Sequence, residues 1–386
     1  MSGSIFHVVT SVWGDGFIDL FLTTAIPNQL TTGNLESLPQ GSRYRILTSA
    51  RDLARLEAAD AVRALRAVLP VDIVAMDDGP RDNAGPHDVA KYHQMIAYHR
   101  RAFEDAFECG ATLIILAPDH VLATQTMARL VELRAQGYRA VVCPGIRLSK
   151  EPMLEALAGH GRPDLPPRTL VGMALRHLHR FTLEHMADAE PFSRLPTFVY
   201  WRVNDGGLLA RCLNLHSLMI DPVRRELPKG APDGRYLFRA VPDLAAVYVV
   251  TDSDDLVIFE LTTTRNIVTR GRRSWPKDWR TASVAFRCDA HQIAFWQRSL
   301  RFHSGDLSDA WVPVELEAAR FADRVIGLIP YVRHMFPMMN RIRRWQQRCD
   351  HLVLKWRRRL PRARQVKRSA AITLHRARKQ LRREFR

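Results

Sequence analysis

Short β-rich runs alternate with helix-periodic segments over residues 5–145. Ile5–Ser11 predicts the first strand, and the apolar residues of Phe17–Leu30 recur at helical spacing. The later run Leu113–Ala117 is continuously apolar, which is typical of a strand buried on both faces of a sheet. Alternation of this kind predicts an α/β fold with a doubly wound, mostly parallel central sheet.

Charge is distributed very unevenly along the 386 residues. Residues 333–386 hold 19 of the 57 Lys and Arg side chains but 2 of the 40 acidic ones, and residues 1–332 carry 38 of each sign. The net charge of +17 therefore belongs to the C-terminal segment. A neutral body makes nucleic acid an unlikely partner, because a nucleic-acid-binding fold carries its basic patch on the folded surface.

The composition predicts three regions. Residues 1–145 form the first half of the α/β domain, and residues 146–332 add a helical insertion and further strands of the same domain. Residues 333–386 carry apolar side chains three and four apart on an Arg-rich background, which predicts a basic amphipathic helical extension.

The five cysteines are far apart and form no CxxC pair, so neither a disulfide framework nor a zinc site is indicated. No apolar run approaches the roughly 18–20 residues that span a bilayer. The first residues lack the basic start and apolar stretch of a signal peptide. These features predict a cytoplasmic protein whose membrane contact is peripheral, on the inner face of the cell membrane.

In a doubly wound sheet, ligands bind at the carboxyl ends of the strands. The loops that follow the early predicted strands each carry a polar or acidic group: Val12–Asp15, Thr48–Asp52, Asp77–Gly79 and Pro118–His120. No GxGxxG follows the first strand and no P-loop motif occurs, so the usual dinucleotide and P-loop sites are not predicted. The pair Asp78-Gly79 indicates a turn more strongly than it indicates a ligand-binding site.

Asp119 directly follows the apolar run that predicts the buried strand. A carboxylate in this position can coordinate a divalent ion that also holds a diphosphate. The alternative is that Asp119 begins the following helix as its N-cap, a position that Asp favours.

The blocks WGDGFIDLFLTTAIPNQLTTGNL, YRILTS, HRRAFEDAFECGATLIILAPDHVLA, LNLHSLMIDP and VVTDSDD lie within residues 5–265. Together they resemble bacterial glycosyltransferase-like proteins of the GT-A fold. The resemblance implies a nucleotide-sugar donor lying over the N-terminal sheet. It also implies a short acidic motif, usually DxD, that binds the diphosphate and a divalent metal, Mn²⁺ or Mg²⁺.

By this resemblance the acidic motif corresponds to Asp119, within PDHV instead of DxD, and a later metal-binding histidine corresponds to His216. His216 also lies in an alternating run, which is typical of a half-buried strand histidine bonded to a neighbour. His99 is either solvated or leans from its helix towards the sheet edge as a donor-binding residue. The other residues implied to lie near the nucleotide are Trp13, Gly14, Thr48, Ser49 and Arg51.

An acidic stretch separates two strand-like runs, AAVYVVT and LVIFEL. Its Asp252, Asp254 and Asp255 form a charged hairpin turn in the simplest interpretation. In a glycosyltransferase, one of Asp252, Asp254 and Glu260 would be the catalytic base that takes a proton from the acceptor hydroxyl. Asp233 is a further candidate, and the sequence does not choose among them.

The predicted activity is sugar transfer from a nucleotide-sugar to a cell-envelope glycan or lipid-linked acceptor. Residues 333–386, with Trp345 and Trp356, are predicted to bind an anionic membrane surface; nucleic-acid binding and a coiled-coil seam are the alternatives. Two rival functions remain. One is a non-catalytic binding or scaffold protein of the same fold, and the other is a nucleotidyltransferase, which would need paired carboxylates for two metals.

Overall fold

The computed structural model describes residues 4–76, 89–232, 234–265 and 275–359. Contacts divide the chain into two units, Met1–Ile329 and Pro330–Arg386. Several features of the sequence analysis lie outside the described residues: Asp77, Asp78, Asp233 and the part of the basic extension from residue 360 onwards. The first unit contains all the strands described below.

Within the described ranges, thirteen strands form three sheets. They are β1 (Phe6–Ser11), β2 (Arg43–Ser49), β3 (Val71–Met76), β4 (Thr112–Leu116), β5 (His120–Leu122), β6 (Ala140–Cys143), β7 (Ile146–Ser149), β8 (Phe198–Asn204), β9 (Gly207–Cys212), β10 (His216–Ile220), β11 (Val247–Val249), β12 (Ile258–Thr262) and β13 (Leu300–His303).

Seven of these strands form the central sheet, in the order β11-β6-β10-β4-β1-β2-β3. Strands β1 to β4 are parallel to one another, and β11 is parallel to β6. Strand β10 runs antiparallel between β4 and β6. The protein therefore has an α/β fold with a mostly parallel central sheet, which confirms the predicted fold class.

The helices of the described ranges are α1 (Asp15–Leu20), α2 (Ile26–Gln29), α3 (Leu53–Glu57), α4 (Asp60–Val68), α5 (Val89–Cys109), α6 (Thr126–Ala135), α7 (Lys150–His160), α8 (Pro167–Arg176), α9 (Arg180–Leu183), α10 (Arg235–Ala240), α11 (Lys277–Ala285), α12 (Ala290–Trp296) and α13 (Trp311–Arg359). A π-helical turn, Phe21–Ala25, joins α1 to α2, so the predicted helix from Phe17 to Leu30 is present as one helical stretch. Among these helices, none combines the length and the apolar character that crossing a bilayer requires.

Both faces of the central sheet are buried at β4. Successive side chains of a strand point to opposite faces, and all five residues of β4 are buried. Leu113 and Ile115 belong to one hydrophobic cluster, whereas Ile114 and Leu116 belong to another. This division explains why the β4 sequence is continuously apolar, and it confirms that this strand is buried on both faces.

Two three-stranded sheets complete the first unit, in the orders β5-β12-β7 and β13-β9-β8. Strand β11 belongs to the central sheet and β12 to the second sheet, so the acidic stretch Asp252–Asp255 connects two sheets. The hairpin interpretation of this stretch is therefore wrong. The predicted helical insertion contains α7, α8 and α9, but it also contributes β7 and β8.

Candidate functional site

The strand order reverses between β1 and β4. From β1 the chain continues to β2 and β3 on one side of β1, and then returns to place β4 on the other side of β1. Ligands of open α/β sheets bind in the crevice at such a point. Trp13, in the loop after β1, lies at this crevice and contacts Tyr98 of α5 edge to face, with ring centroids 5.1 Å apart. The β1–α1 loop and α5 therefore meet at one edge of the crevice.

Asp52 holds the two loops that follow β1 and β2. One of its carboxylate oxygens accepts hydrogen bonds from the Gly14 N–H at 3.0 Å and from the Ser49 hydroxyl at 2.6 Å. The other lies 3.5 Å from Nε of Arg51. Gly14 has φ 80°, a left-handed conformation that glycine adopts readily. Three of the predicted donor-binding residues thus converge on one buried carboxylate.

Two buried hydroxyls near the ends of neighbouring strands have no protein partner among the described residues. Ser11 Oγ at the end of β1 and Thr48 Oγ1 near the end of β2 make no hydrogen bond within the described part of the chain. Buried polar groups are normally paired, with protein, water or a ligand. Thr48, a predicted donor-binding residue, therefore offers a polar atom at the edge where the donor is expected.

Three histidines from different elements meet beside the carboxyl end of β4: His99 of α5, His120 of β5 and His216 of β10. The His120 and His216 rings lie edge to face, with centroids 5.1 Å apart. His216 Nε2 donates to the Ile115 carbonyl oxygen at 2.9 Å, as expected of a strand histidine bonded to its neighbour. His120 Nδ1 accepts from the Ala117 N–H at 3.2 Å. We call these three residues the histidine cluster.

Burial sets the charge state of two members of the histidine cluster. It lowers the pKa of His99 to about 4 and that of His120 well below its ordinary value, and the proximity of His216 lowers both further. His99 is buried, so the solvated alternative for this residue is wrong. Both rings are therefore neutral near pH 7 and offer nitrogen lone pairs and N–H groups, not positive charge.

Asp119 lies in the turn between β4 and β5, and its carbonyl oxygen accepts a hydrogen bond from the Leu261 N–H at 2.8 Å. The N-cap of α6 is Gln125, so the helix-cap interpretation of Asp119 is wrong. Burial, and next the nearby Glu260 carboxylate, raise the pKa of Asp119 to about 8. The Asp119 carboxyl group therefore keeps its proton at neutral pH.

Glu260 and two basic residues lie close enough to the Asp119 carboxyl group to change its pKa. Glu260 on β12 is opposite Arg147 on β7, and Oε1 of Glu260 lies 3.1 Å from Nε of Arg147. Arg147 and Lys150 are close enough to Asp119 to act against the rise in its pKa. Arg147 also lies over the Phe181 ring, at 4.6 Å from its centroid. This arrangement combines a protonated carboxyl, a carboxylate and two cations.

The metal assignment to Asp119 and His216 stays a prediction, and the donor groups around it fit a metal poorly. The His216 ring contacts the ring of His120. The charged groups that most affect the pKa of Asp119 are instead Glu260 and Arg147. A protonated carboxyl beside cations is a weak ligand for a further cation. The described His, Cys, Asp and Glu side chains contain one group of three with ligand atoms within 4.8 Å of one another, and it lies elsewhere.

That group is Asp252, Asp254 and His303. Asp252 Oδ1 lies 2.8 Å from His303 Nε2, and Asp254 Oδ2 lies 3.9 Å from the same nitrogen. Arg168 of α8 binds both oxygens of Asp254, with its Nη2 atom 2.9 Å from Oδ2. The two aspartates, predicted as candidate bases, are therefore held by an imidazole and a guanidinium, and the three side chains together form a possible metal-ligand set.

Sequence reasoning did not single out Asp52 as a loop anchor, Arg147 or His303. Asp52 lies in the loop after β2, three residues after Ser49, and this spacing was the sequence feature that could have indicated its role as a loop anchor. Arg147 and His303 gave no signal, because their importance depends on which strands pair across the sheets. Of the three candidate bases, Glu260 is the one whose charge acts on the Asp119 carboxyl group.

No protein-family model matches this sequence, and no curated protein does. Among solved structures, S. aureus TarS aligns over 37% of this chain and 22% of its own, with 10% identity and a TM-score of 0.24. TarS residues 1–349 align over 37% and 36%, with 9% identity and a TM-score of 0.25. A Bacillus anthracis protein described as a glucose-1-phosphate thymidylyltransferase, solved with a sucrose, aligns over 38% and 57%, with 12% identity and a TM-score of 0.21.

In each case this chain spans less than two thirds of the matched chain. The matches are therefore a distant likeness over part of the α/β fold, and they assign no family to the protein.

Proposed function

We propose that the protein is a nucleotide-sugar-dependent glycosyltransferase that transfers a sugar to a cell-envelope glycan or a lipid-linked acceptor. The observation that carries the proposal is the position of Asp119. It follows β4 beside the strand-order reversal, keeps its proton at neutral pH and has Glu260, Arg147 and Lys150 as charged neighbours. This combination of acid, base and positive charge suits the departure of a diphosphate and the activation of a hydroxyl.

The donor side of the proposed site is the crevice at the ends of β1, β2 and β4. Trp13 provides an aromatic face for a base or sugar ring, and the loops held by Asp52 provide backbone and hydroxyl groups. Arg147 and Lys150 supply the positive charge that a diphosphate needs. His99 and His120, which burial keeps neutral, add N–H donors without adding charge.

The proposed roles of the two carboxyl groups follow from their charge states. Asp119, as the protonated member, transfers its proton to a diphosphate oxygen as the bond to the sugar breaks. Glu260, as the carboxylate, accepts the proton of the attacking acceptor hydroxyl. Glu260 is preferred to Asp252 and Asp254 because its charge acts on Asp119, the proposed proton donor.

A peripheral membrane location is part of the proposal. The excess of 19 basic over 2 acidic residues in residues 333–386 supports attraction to an anionic lipid surface, where lipid-linked acceptors reside. The cationic segment would bring the neutral α/β unit to its acceptor.

The test is turnover and binding of a panel of nucleotide-sugars, with and without Mn²⁺, by the wild-type protein and Asp119→Asn. We expect slow donor hydrolysis by the wild-type protein without added metal, and a loss of at least 100-fold in Asp119→Asn, because the amide cannot donate the same proton. Asp188→Asn, which changes an exposed aspartate, is the matched control and should keep full activity.

Equal turnover by Asp119→Asn and wild type would overturn the assignment of Asp119. Tight donor binding without turnover under any condition would favour the non-catalytic alternative. Release of diphosphate from a nucleoside triphosphate and a sugar phosphate would favour the nucleotidyltransferase.

A further inference from the structure

The ring of Phe181 packs against Arg147, the cation assigned above to a diphosphate. The central carbon of the Arg147 guanidinium lies 4.6 Å from the Phe181 ring centroid, which is within the range of a cation–π contact. The same guanidinium reaches Glu260, with Nε 3.1 Å from Oε1. The Arg147 side chain is 39% exposed, so burial alone does not confine it. A long side chain of this kind keeps one position only where such contacts offset its lost rotamer freedom.

Phe181 is itself held at both of its backbone polar groups by histidine rings. Nδ1 of His179 accepts a hydrogen bond from the Phe181 N–H at 3.0 Å, and Nδ1 of His185 donates to the Phe181 carbonyl oxygen at 2.7 Å. The His179 ring therefore carries its proton on Nε2, which donates to the Thr263 carbonyl oxygen at 3.2 Å. Burial lowers the pKa of both histidines, and the charge of Arg147 acts in the same direction, so both rings are neutral near pH 7.

The backbone of Arg147 is bonded to the same segment. Its carbonyl oxygen accepts from the His179 N–H at 3.0 Å and from the Thr182 hydroxyl at 2.8 Å. Residues 179–182 therefore contact Arg147 both at its backbone and at its guanidinium. A helix of four residues, such as α9, is not stable on its own, so these bonds to β7 decide where the segment lies.

The position of Arg147 bears on the Asp119 carboxyl group. Glu260 pairs with His120 of β5 and with Arg147 of β7, so these three residues are neighbours across the second sheet. Side chains directly opposite one another on neighbouring strands share a face of the sheet. Asp119 directly precedes His120 in the sequence, and both Glu260 and Arg147 affect its pKa.

We infer that Phe181 is a positioning residue, whose ring holds the Arg147 guanidinium beside Glu260 and in place for a bound diphosphate. The role towards a diphosphate rests on the function proposed above, whereas the effect on Asp119 does not. An aromatic ring suits this task, because its face attracts a cation without neutralising the charge. The N–H groups of the guanidinium then stay available to phosphate oxygens. Phe181 acts through Arg147 and contacts no substrate in this role.

The test follows the Asp119 carboxyl group by carbon NMR in the full-length protein and in Phe181→Leu. If the ring positions Arg147, its loss lets the guanidinium move away, and the pKa of Asp119 rises, because the Arg147 charge acts to lower it. A purely structural role predicts the opposite direction. A loosened segment admits water, and burial is the largest cause of the raised pKa of Asp119. The sign of the shift therefore separates the two roles.

Three further variants complete the experiment. Phe181→Tyr keeps an aromatic face and should leave the pKa of Asp119 as in wild type. Leu183→Ala changes a 43% exposed side chain of the same helix and should also leave it unchanged. In an Arg147→Gln background, Phe181→Leu should cause no further rise, because the cation that the ring holds is already absent.

Inorganic pyrophosphate is the probe for the diphosphate, with its affinity measured by calorimetry. Phe181→Leu should weaken pyrophosphate binding about 2–5-fold, as expected for the loss of one cation–π contact at a partly exposed site. Phe181→Tyr and Leu183→Ala should bind it as tightly as wild type.

An Asp119 pKa that falls or stays constant in Phe181→Leu would overturn the inference, and so would an equal rise in the Arg147→Gln background. If Phe181→Leu fails to fold, proton NMR of the wild-type protein decides, because a nuclear Overhauser effect between the Arg147 Nε–H and the Phe181 ring must be present. A raised Asp119 pKa without pyrophosphate binding or nucleotide-sugar turnover would support the positioning of Arg147 and count against the proposed function.

Discussion

The carboxylate of Asp52 accepts a hydrogen bond from the Gly14 N–H at 3.0 Å, although the two residues are 38 positions apart in the sequence. The same oxygen accepts from the Ser49 hydroxyl. This bond fixes the loop after β1 against the loop after β2, and both loops border the proposed donor crevice.

Removing this carboxylate should cost stability as well as donor binding. Asp52→Ala leaves a buried N–H and a hydroxyl without an acceptor, and each such group costs about 1–3 kcal/mol, so we expect a loss of about 2–6 kcal/mol. Urea unfolding measures it. Asp60→Ala, whose side chain is 88% exposed and paired with Arg63, should cost less than about 1 kcal/mol. Equal losses of unfolding free energy in Asp52→Ala and Asp60→Ala would show that Asp52 does not anchor the two loops.

Buried neutral histidines should make the protein unstable in acid. Burial lowers the pKa of His7 and of His99 to about 4, from an ordinary value of 6.5. The unfolded chain therefore binds more protons than the folded one between about pH 6.5 and pH 4, so stability should fall as the pH falls through this interval. The upper bound is about 3 kcal/mol for each histidine, from about 1.4 kcal/mol per pKa unit.

The check is urea unfolding at several pH values. His7→Gln should flatten the dependence of the unfolding free energy on pH, because one buried titrating group is removed. His160→Gln, at an exposed position, should leave the slope as in wild type. A wild-type stability that stays constant from pH 7 to pH 4.5 would contradict the prediction.

The proton of Asp119 should control the alkaline limb of the activity. Its pKa of about 8 predicts that turnover declines above pH 8, as the proton is lost. The Glu260 charge raises this pKa, so Glu260→Gln should lower it; the Arg147 charge lowers it, so Arg147→Gln should raise it. Carbon NMR of the Asp119 carboxyl group follows the titration even where turnover is too slow to measure. Shifts in the same direction for both variants would contradict the assignment.

The basic extension should bind anionic vesicles in two ways. Each Lys or Arg near the surface contributes about 1 kcal/mol, screened beyond roughly 8–10 Å, so much of the binding should vanish at high salt. Trp345 and Trp356 should contribute a salt-resistant part. Sedimentation with phosphatidylserine vesicles should show that Trp345→Ala combined with Trp356→Ala weakens binding at 0.5 M salt more than it weakens DNA binding. A full-length protein that ignores vesicles but binds DNA with a steep salt dependence would refute the membrane role.

The central sheet could be predicted from the sequence because its signals are local. Leu113–Ala117 shows by its own composition that both faces of β4 are buried, and the neighbouring helices show their period in the same way. The turn after β4 then follows from the parallel direction of the strands. The position of Asp119 at the sheet edge therefore needed no knowledge of distant contacts.

The surroundings of the candidate sites could not be predicted in this way. Glu260 meets Arg147 because β12 pairs with β7, and His303 meets Asp252 because β13 runs beside the segment after β11. Pairing of strands far apart in sequence depends on packing of the whole unit, and neither pair has a local pattern. The hairpin interpretation of Asp252–Asp255 failed for the same reason, since it assumed that consecutive strands are neighbours.

The antiparallel strand β10 has a further consequence for how this fold can change. His216, at its start, pairs with Cys143, at the end of β6. Residues 144–215 therefore form an insertion that leaves the central sheet at the end of β6 and returns to it at the start of the adjacent strand β10. Changes in the length of this segment can leave the sheet register and the histidine cluster in place. Evolution can therefore reshape residues 144–215 while it keeps the edge of the sheet that bears the histidine cluster.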